Sequence, residues 1–458
     1  MQQKTSARMG TMPIPRLILK ISFPVMLSMT IQALYNIVDS VYVSRIAEKE
    51  QALSALQLAF PIQMLMIAIA VGTGVGMNSL ISRRLGEKRR EEAYGAASNG
   101  VFLALVGWAV FAVFGFFFSG IFMQAFTKDA TTLQMGTDYL RICTVFSFGL
   151  FVSIATDRLM QSTGNTVFNM IVQSTGAVLN IILDPIFIFG WGPVPAMGVA
   201  GAAIATVISQ IVSMALSFIF NQTRNKELKL HLRGFRPEGK TILEIYKVGF
   251  PSIIIQTVGS MMIMLMNLIL RPLSEVALAV VGLYFRLQSF VFMPVFGLTG
   301  GLVAIVGYNF GARNAKRIHE TVRVALYYAG AIMAAGTLLF WLAPGFLLSL
   351  FDASPEMLDV GIPALRIISL AFLMAAGGII LSTVFQAIGN GMLSLFVSMI
   401  RQLVVLLPAA YFLSKAFGLV GVWWSIPLAE AVSFVLCIVL YIWVDRRYIK
   451  PLGGLATE

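Results

Sequence analysis

Cysteine, histidine and charge are all scarce in this chain. Its 458 residues include two Cys and two His, and Asp, Glu, Lys and Arg together make up 12%. Each scarcity closes off a class of function. Cys143 and Cys437 both sit inside apolar runs, so they supply neither a disulfide framework nor a metal motif. His231 and His319 lie in hydrophilic stretches, which argues against a buried His-ligated metal. There is no P-loop, no nucleotide-binding domain and no HExxH, so no enzyme signature is present. Any work the chain does must draw on an ion gradient or on a partner protein, and no cofactor is expected beyond a coupling ion. A basic tail (Lys4, Arg8, Arg16, Lys20) leads into an apolar run too long for the core of a cleavable signal peptide.

What the chain has instead is apolar length. Hydrophobic residues are 58% of it, far above a soluble domain, and twelve runs are long enough to cross a bilayer. They lie near 17–43, 53–81, 97–122, 139–159, 167–189, 199–220, 249–270, 277–306, 324–351, 364–385, 393–413 and 419–444. An all-α polytopic membrane protein follows. The net charge of +12 raises the question of nucleic acid, and its placement answers it. With the amino terminus assigned to the cytoplasm, 24 of the 33 Lys and Arg fall on inside segments and five on outside loops. That bias is a topology signal, with both termini cytoplasmic in the cell membrane and no nucleic-acid partner.

The longest hydrophilic stretch, Asn221 to Lys247, divides six runs from six, and the halves repeat. Gln161-x-x-Gly164-Asn165 recurs as Gln386-x-x-Gly389-Asn390, Leu140-Arg141-Ile142 as Leu365-Arg366-Ile367, and Phe23-Pro24 as Phe250-Pro251. The predicted architecture is therefore twelve transmembrane helices in two six-helix pseudo-symmetric lobes, residues 1–225 and 226–458, around a central cavity.

Asp184 stands inside an apolar run, with Asn180 one turn earlier on the same face and Pro185 next in sequence. A carboxylate in hydrocarbon costs about 2.5 to 3.5 kcal/mol even on lenient scales, so it normally faces protein or water and acts there. Asp39 near the end of the first run and Thr206 in the sixth fall at a comparable depth. Two carboxylates, an amide and a hydroxyl at one level make Asp39, Asn180, Asp184 and Thr206 the candidate ion-coupling residues, suited to a proton or to sodium. The second half does not repeat the carboxylates. It carries Glu430 near the middle of the last run, a candidate substrate counter-ion, with pairing to Arg401 or Arg286 an equal reading. Further candidates for a substrate cavity are Tyr35, Asn36, Gln256, Arg286 and the adaptable Met261 and Met264. Pro24, on the same run as Asp39, marks where the first helix can bend.

Tyr35-Asn-Ile-Val-Asp39-Ser-Val-Tyr-Val-Ser44, the two Gln-x-x-Gly-Asn motifs, Leu179 to Phe189 and the Phe-x-Phe-Met-Pro-x-x-Gly-Leu of Phe290 to Leu298 together resemble the multidrug and toxic compound extrusion family over essentially the whole chain. The resemblance implies two lobes around a V-shaped cavity and export of cationic amphipathic compounds in exchange for H⁺ or Na⁺. It implies coupling roles for Asp39, Asn180, Asp184 and Thr206, and bending at Pro24. Gln256 stands where one branch has a glutamate, and the tenth run lacks that branch's acids, so the chain looks like the DinF-like branch. Ser44 replaces a usual glycine. A monomer is expected. The rival reading within the superfamily, a flippase for lipid-linked oligosaccharide, would call for several cavity arginines.

Overall fold

In hydrocarbon every backbone N–H and C=O must be satisfied within the chain, and long apolar runs meet that demand as helices. The structure, a computed structural model, describes residues 6–453 apart from 44, 47–48, 226, 229, 231–234 and 352. The side chains of 36–37, 39–41, 43, 49 and 453 also lie outside the described residues, and so Asn36, Asp39, Ser44 and His231 carry no side-chain description. A short α1 (Ala7–Thr11) precedes α2 (Ile14–Val43), α3 (Lys49–Gly86), α4 (Arg90–Gln124), α5 (Ala130–Val145), α6 (Phe148–Ser162), α7 (Thr166–Phe189) and α8 (Gly198–Arg224). The second half holds α9 (Gly239–Leu270), α10 (Glu275–Gly311), α11 (Ala315–Leu342), α12 (Pro344–Ser349), α13 (Pro355–Ser369), α14 (Phe372–Ala387) and α15 (Gly391–Met399). α15 continues through π-helical turns at Ile400–Leu406 into α16 (Leu407–Val444), and α17 (Lys450–Gly453) ends the described chain.

Among the described residues, nine helices are long and apolar enough to span a membrane, and two bent pairs bring the number to eleven. The pairs are α5 with α6, bent by 43°, and α13 with α14, bent by 46°. They are the fourth and tenth predicted runs, each read from sequence as one segment. At both bends a serine hydroxyl bonds back to the chain three residues earlier: Ser147 donates to the Thr144 carbonyl and Ser369 to that of Arg366. Such back-bonding competes with the helix ladder and opens a turn. The eleventh and twelfth predicted runs lie in one helical stretch, Gly391–Leu452, broken at Gly418, whose φ of 61° and ψ of −142° are non-helical. Counted that way, the chain crosses twelve times.

The amino-terminal helix, the α10–α11 turn and the chain's end gather on one face. Asn309 and Arg317 both donate to the Met9 carbonyl, and His319 meets Asp445 at 2.5 Å. The two halves touch along the part of the bundle next to that termini face. There α3 packs on α9 and α10, and α2 packs on α10. Ser22 donates to the Leu298 carbonyl, Ser79 to that of Gln386 at 2.7 Å, and Arg84 pairs with Glu244 at 2.7 Å. The first turns of α2, from Ile14 to Ile21, join the core of the second half. Backbones approach this closely only where a side chain is absent. A Cβ on Gly76 would fall on the Ile245 carbonyl, and one on Gly86 on the Tyr308 carbonyl.

Gly86→Ala is therefore expected to part this seam. Ser79 is fully buried in it. Labelling of Ser79→Cys by a membrane-impermeant maleimide should rise about tenfold in the Gly86→Ala background, the response to an opening made easier by about 1.4 kcal/mol. Unchanged labelling would mean that the helices slide without separating.

Candidate functional site

Along α7, polar side chains recur on a single face. Asn169, Gln173, Asn180 and Asp184 follow at intervals of four, seven and four residues, which stack on one side of a helix. The stripe is turned into the bundle: Asn169, Asn180 and Asp184 are all 2% exposed or less. Pro185 continues the helix beyond Asp184 without an N–H of its own, leaving one carbonyl a turn earlier free of its helical partner.

The structure brings Asn180, Asp184 and Thr206 together. Asn180 lies within hydrogen-bond reach of the Asp184 carboxylate at 3.3 Å and of the Thr206 hydroxyl on α8 at 3.4 Å. With its amide turned end for end, it donates to Asp184 Oδ2 at 3.1 Å and accepts the Thr206 backbone N–H at 3.2 Å. Either way Asn180 ties a carboxylate on α7 to α8. Carboxylate, carboxamide and hydroxyl oxygens are the donor set that a hard monovalent cation takes, and the carboxylate alone suffices for a proton.

Beside them a cavity of about 220 Å³ lies wholly within the first lobe. Asn180 and Thr206 line it, with Gln32 and Tyr35 from α2 and Asp157 and Arg158 from α6. Tyr35, one of the substrate-cavity candidates, lines this first-lobe cavity. Pro24 lies within α2, a helix continuous from Ile14 to Val43, and the Ser28 hydroxyl donates to its carbonyl at 2.8 Å.

The other predicted substrate contacts are dispersed. Gln256, Met261 and Met264 sit on the half of α9 beyond the seam. The two methionines are 48% and 66% exposed, and neither they nor Gln256 line the first-lobe cavity or the smaller one in the second lobe. Arg286 lies on α10 and lines neither cavity. Of the two basic partners considered for Glu430, the structure selects Arg401, whose Nη1 donates to Glu430 Oε1 at 2.5 Å. The pair lines a second-lobe cavity of about 90 Å³ together with Tyr284 and Gln288.

Arg158 was not among the candidate residues, yet α6 runs on to Ser162 before Gly164, with φ of 79°, ends it, and the arginine lines the cavity. Sequence reasoning also missed Asp157, which is 4% exposed, and its neighbours Asn169 and Gln173. The α7 stripe was the available signal, since Gln173 and Asn169 continue the Asn180–Asp184 face about two and three turns further back along the helix.

The MatE family profile matches twice, over residues 24–186 and 251–412, beginning at Pro24 and again at its repeat partner Pro251. The multidrug export protein MepA of Staphylococcus haemolyticus is 26% identical over 438 residues, 95% of each chain. Among solved structures, the MATE multidrug transporter DinF-BH is 36% identical with a TM-score of 0.87 over 98% of this chain and 99% of that one. An outward-facing MATE transporter of the MOP superfamily is 27% identical with a TM-score of 0.89 over 99% of each. With the profile covering most of both halves, the chain belongs to the MatE family of multidrug and toxic compound extrusion transporters, which are not enzymes.

Proposed function

We propose that this chain is a secondary exporter of cationic amphipathic compounds, driven by inward movement of H⁺ or Na⁺ across the cell membrane. The observation that carries the reading is the buried Asn180–Asp184–Thr206 cluster bordering the first-lobe cavity. An ionisable group in hydrocarbon is costly to keep, and a coupling ion gives it a use. Asp39, on the same helix as the cavity residue Tyr35, belongs to the cluster in this reading. In it, ion loading bends the first helix at Pro24 and expels the bound compound on the side away from the termini. The excess of positive charge on the termini side supports a cytoplasmic position for that face. Residues 1–225 and 226–458 act as the two lobes, and one chain suffices for transport. The flippase reading is disfavoured: Arg401 is neutralised by Glu430, which leaves Arg158 as the one arginine without an ion pair among the described residues of the two cavities.

Efflux of a fluorescent lipophilic cation from proteoliposomes tests the proposal, under a pH gradient alone and then a sodium gradient alone. Movement under either supports it and identifies the ion. No movement under both overturns it.

A further inference from the structure

The end of the first-lobe cavity away from Asp184 has chemistry of its own. Asp157 on α6 is 4% exposed and lines this end. Gln173 Nε2 donates to its Oδ2 at 3.2 Å. The Asn169 amide, turned so that its nitrogen meets the carboxylate, reaches Oδ1 at 3.2 Å and Oδ2 at 3.0 Å, while its oxygen accepts from Gln161 Nε2 at 2.7 Å. A carboxylate is thus enclosed by side-chain carboxamides from α7, which α6 in turn braces through Gln161.

Carboxamides suit a carboxyl that changes state. An ionised carboxylate needs donors, whereas a protonated one offers an O–H and needs an acceptor. Gln173 can present either end: as it stands, its nitrogen donates to Asp157 Oδ2 at 3.2 Å and to Asn169 Oδ1 at 3.1 Å, and its oxygen is buried without a partner among the described residues. With the carboxyl ionised, that nitrogen holds the charge. With the proton on, the Gln173 amide turned end for end brings its oxygen to the nitrogen's place to accept the Asp157 O–H, and the turned Asn169 nitrogen, 3.1 Å away, donates to the same oxygen. A carboxylate serving only as a structural acceptor would leave no buried acceptor idle beside it.

The charged group beside Asp157 is Arg158 on its own helix. Arg158 turns away from it, donating to Gln161 Oε1 at 2.9 Å. Its stem passes Gly74 of α3, and its guanidinium lies against Gly300 of α10 in the other half. The α7 neighbours Asn169 and Gln173 are neutral, as are Ser209, Gln210 and Ser213 from α8, and Tyr35 borders the same cavity from α2. Asp157 therefore sits between the cavity and the seam that closes the termini face.

We propose that Asp157 is a second proton-binding carboxyl of the first lobe, held by Gln173 and Asn169, which exchanges its proton with the termini-side water as the Arg158–Gln161 contact with α10 opens and closes. It rests on the exporter reading above. The proton leaves Asp157 Oδ for water, and the carboxylate left behind is balanced by Arg158 or by an arriving cationic compound.

The test uses the full chain, with tetraphenylphosphonium as probe cation. Proton release on probe binding is followed in weakly buffered detergent across a pH series, and pH-gradient-driven probe efflux is followed in proteoliposomes. Asp157→Asn should release fewer protons per probe bound and slow efflux at least about tenfold, with probe affinity within about threefold. Asp157→Glu should restore release with its pH midpoint displaced, which a merely structural role would not produce. Unchanged release and efflux in Asp157→Asn would overturn the proposal. If that variant does not fold, an undisplaced midpoint in Asp157→Glu overturns it. Asp184→Asn, run in parallel, separates the two readings: full efflux in Asp184→Asn with loss in Asp157→Asn would sink the Asp184 assignment and keep this one.

Discussion

Asp184→Asn should reduce gradient-driven efflux to the level of protein-free liposomes. The substitution keeps size and shape, and its amide can still meet Asn180 across the 3.3 Å now spanned by a carboxylate contact. What it removes is the exchangeable charge, so the site holds permanently the uncharged form that an ion-loaded carboxyl presents. A transporter fixed in one form can bind its substrate but cannot be driven round a cycle. Stability should change little. Asp184 is fully buried, and replacing a buried charge by a neutral hydrogen-bonding isostere removes a desolvation cost as well as a bond, for a net effect of about 1 kcal/mol. Equal expression, an unfolding midpoint near wild type and retained binding of the probe cation, together with lost efflux, are the expected set. Retained efflux would remove Asp184 from the coupling machinery.

Much of this arrangement was legible before the coordinates, for reasons that differ between its parts. The spans are set by apolar length, which a bilayer demands directly. The Asn180–Asp184 contact follows from a four-residue spacing on one helix, and Pro24 and Pro251 mark repeats that the family profile begins on. What the chain order hides is contact between distant residues. Asp157 and Arg158 lie next to each other and shortly before a Gly-Asn turn, so from sequence alone they resemble the charged lip of a loop. Only the packing of α6 against α7 puts Asp157 on Gln173, sixteen residues away. The seam is likewise silent in sequence, because Gly76 and Gly86 could equally be packing residues within one lobe. Met261 and Met264 show the same limit from the other side: adaptable side chains suit a binding cavity and serve equally on any exposed helix face, and the residue type does not say which face these two exposed side chains occupy.

The second large effect concerns the acid left over in the second lobe. Arg401 sits in the π-helical turns of Ile400–Leu406, before the break at Gly418, and Glu430 sits after it. Their 2.5 Å contact therefore pins two successive spans to each other across the break. The side chains are 31% and 13% exposed, so the carboxylate is the more enclosed partner. Removing one member of an enclosed pair leaves the other charge uncompensated, and Arg401→Met should cost about 3 kcal/mol. Glu430→Leu should cost less, since the more exposed guanidinium can still reach water. The double variant Arg401→Met/Glu430→Leu should recover most of the loss, because two apolar side chains of similar volume suit the cavity beside Tyr284 and Trp423. Unfolding of the four proteins in one detergent completes the cycle, and the expected coupling is about 2 kcal/mol or more. Transport by the double variant then assigns the pair's role. Efflux within about threefold of wild type makes it a clamp between spans. Stability regained with efflux lost makes Glu430 a counter-ion for the compound carried, which would place substrate contacts in both lobes.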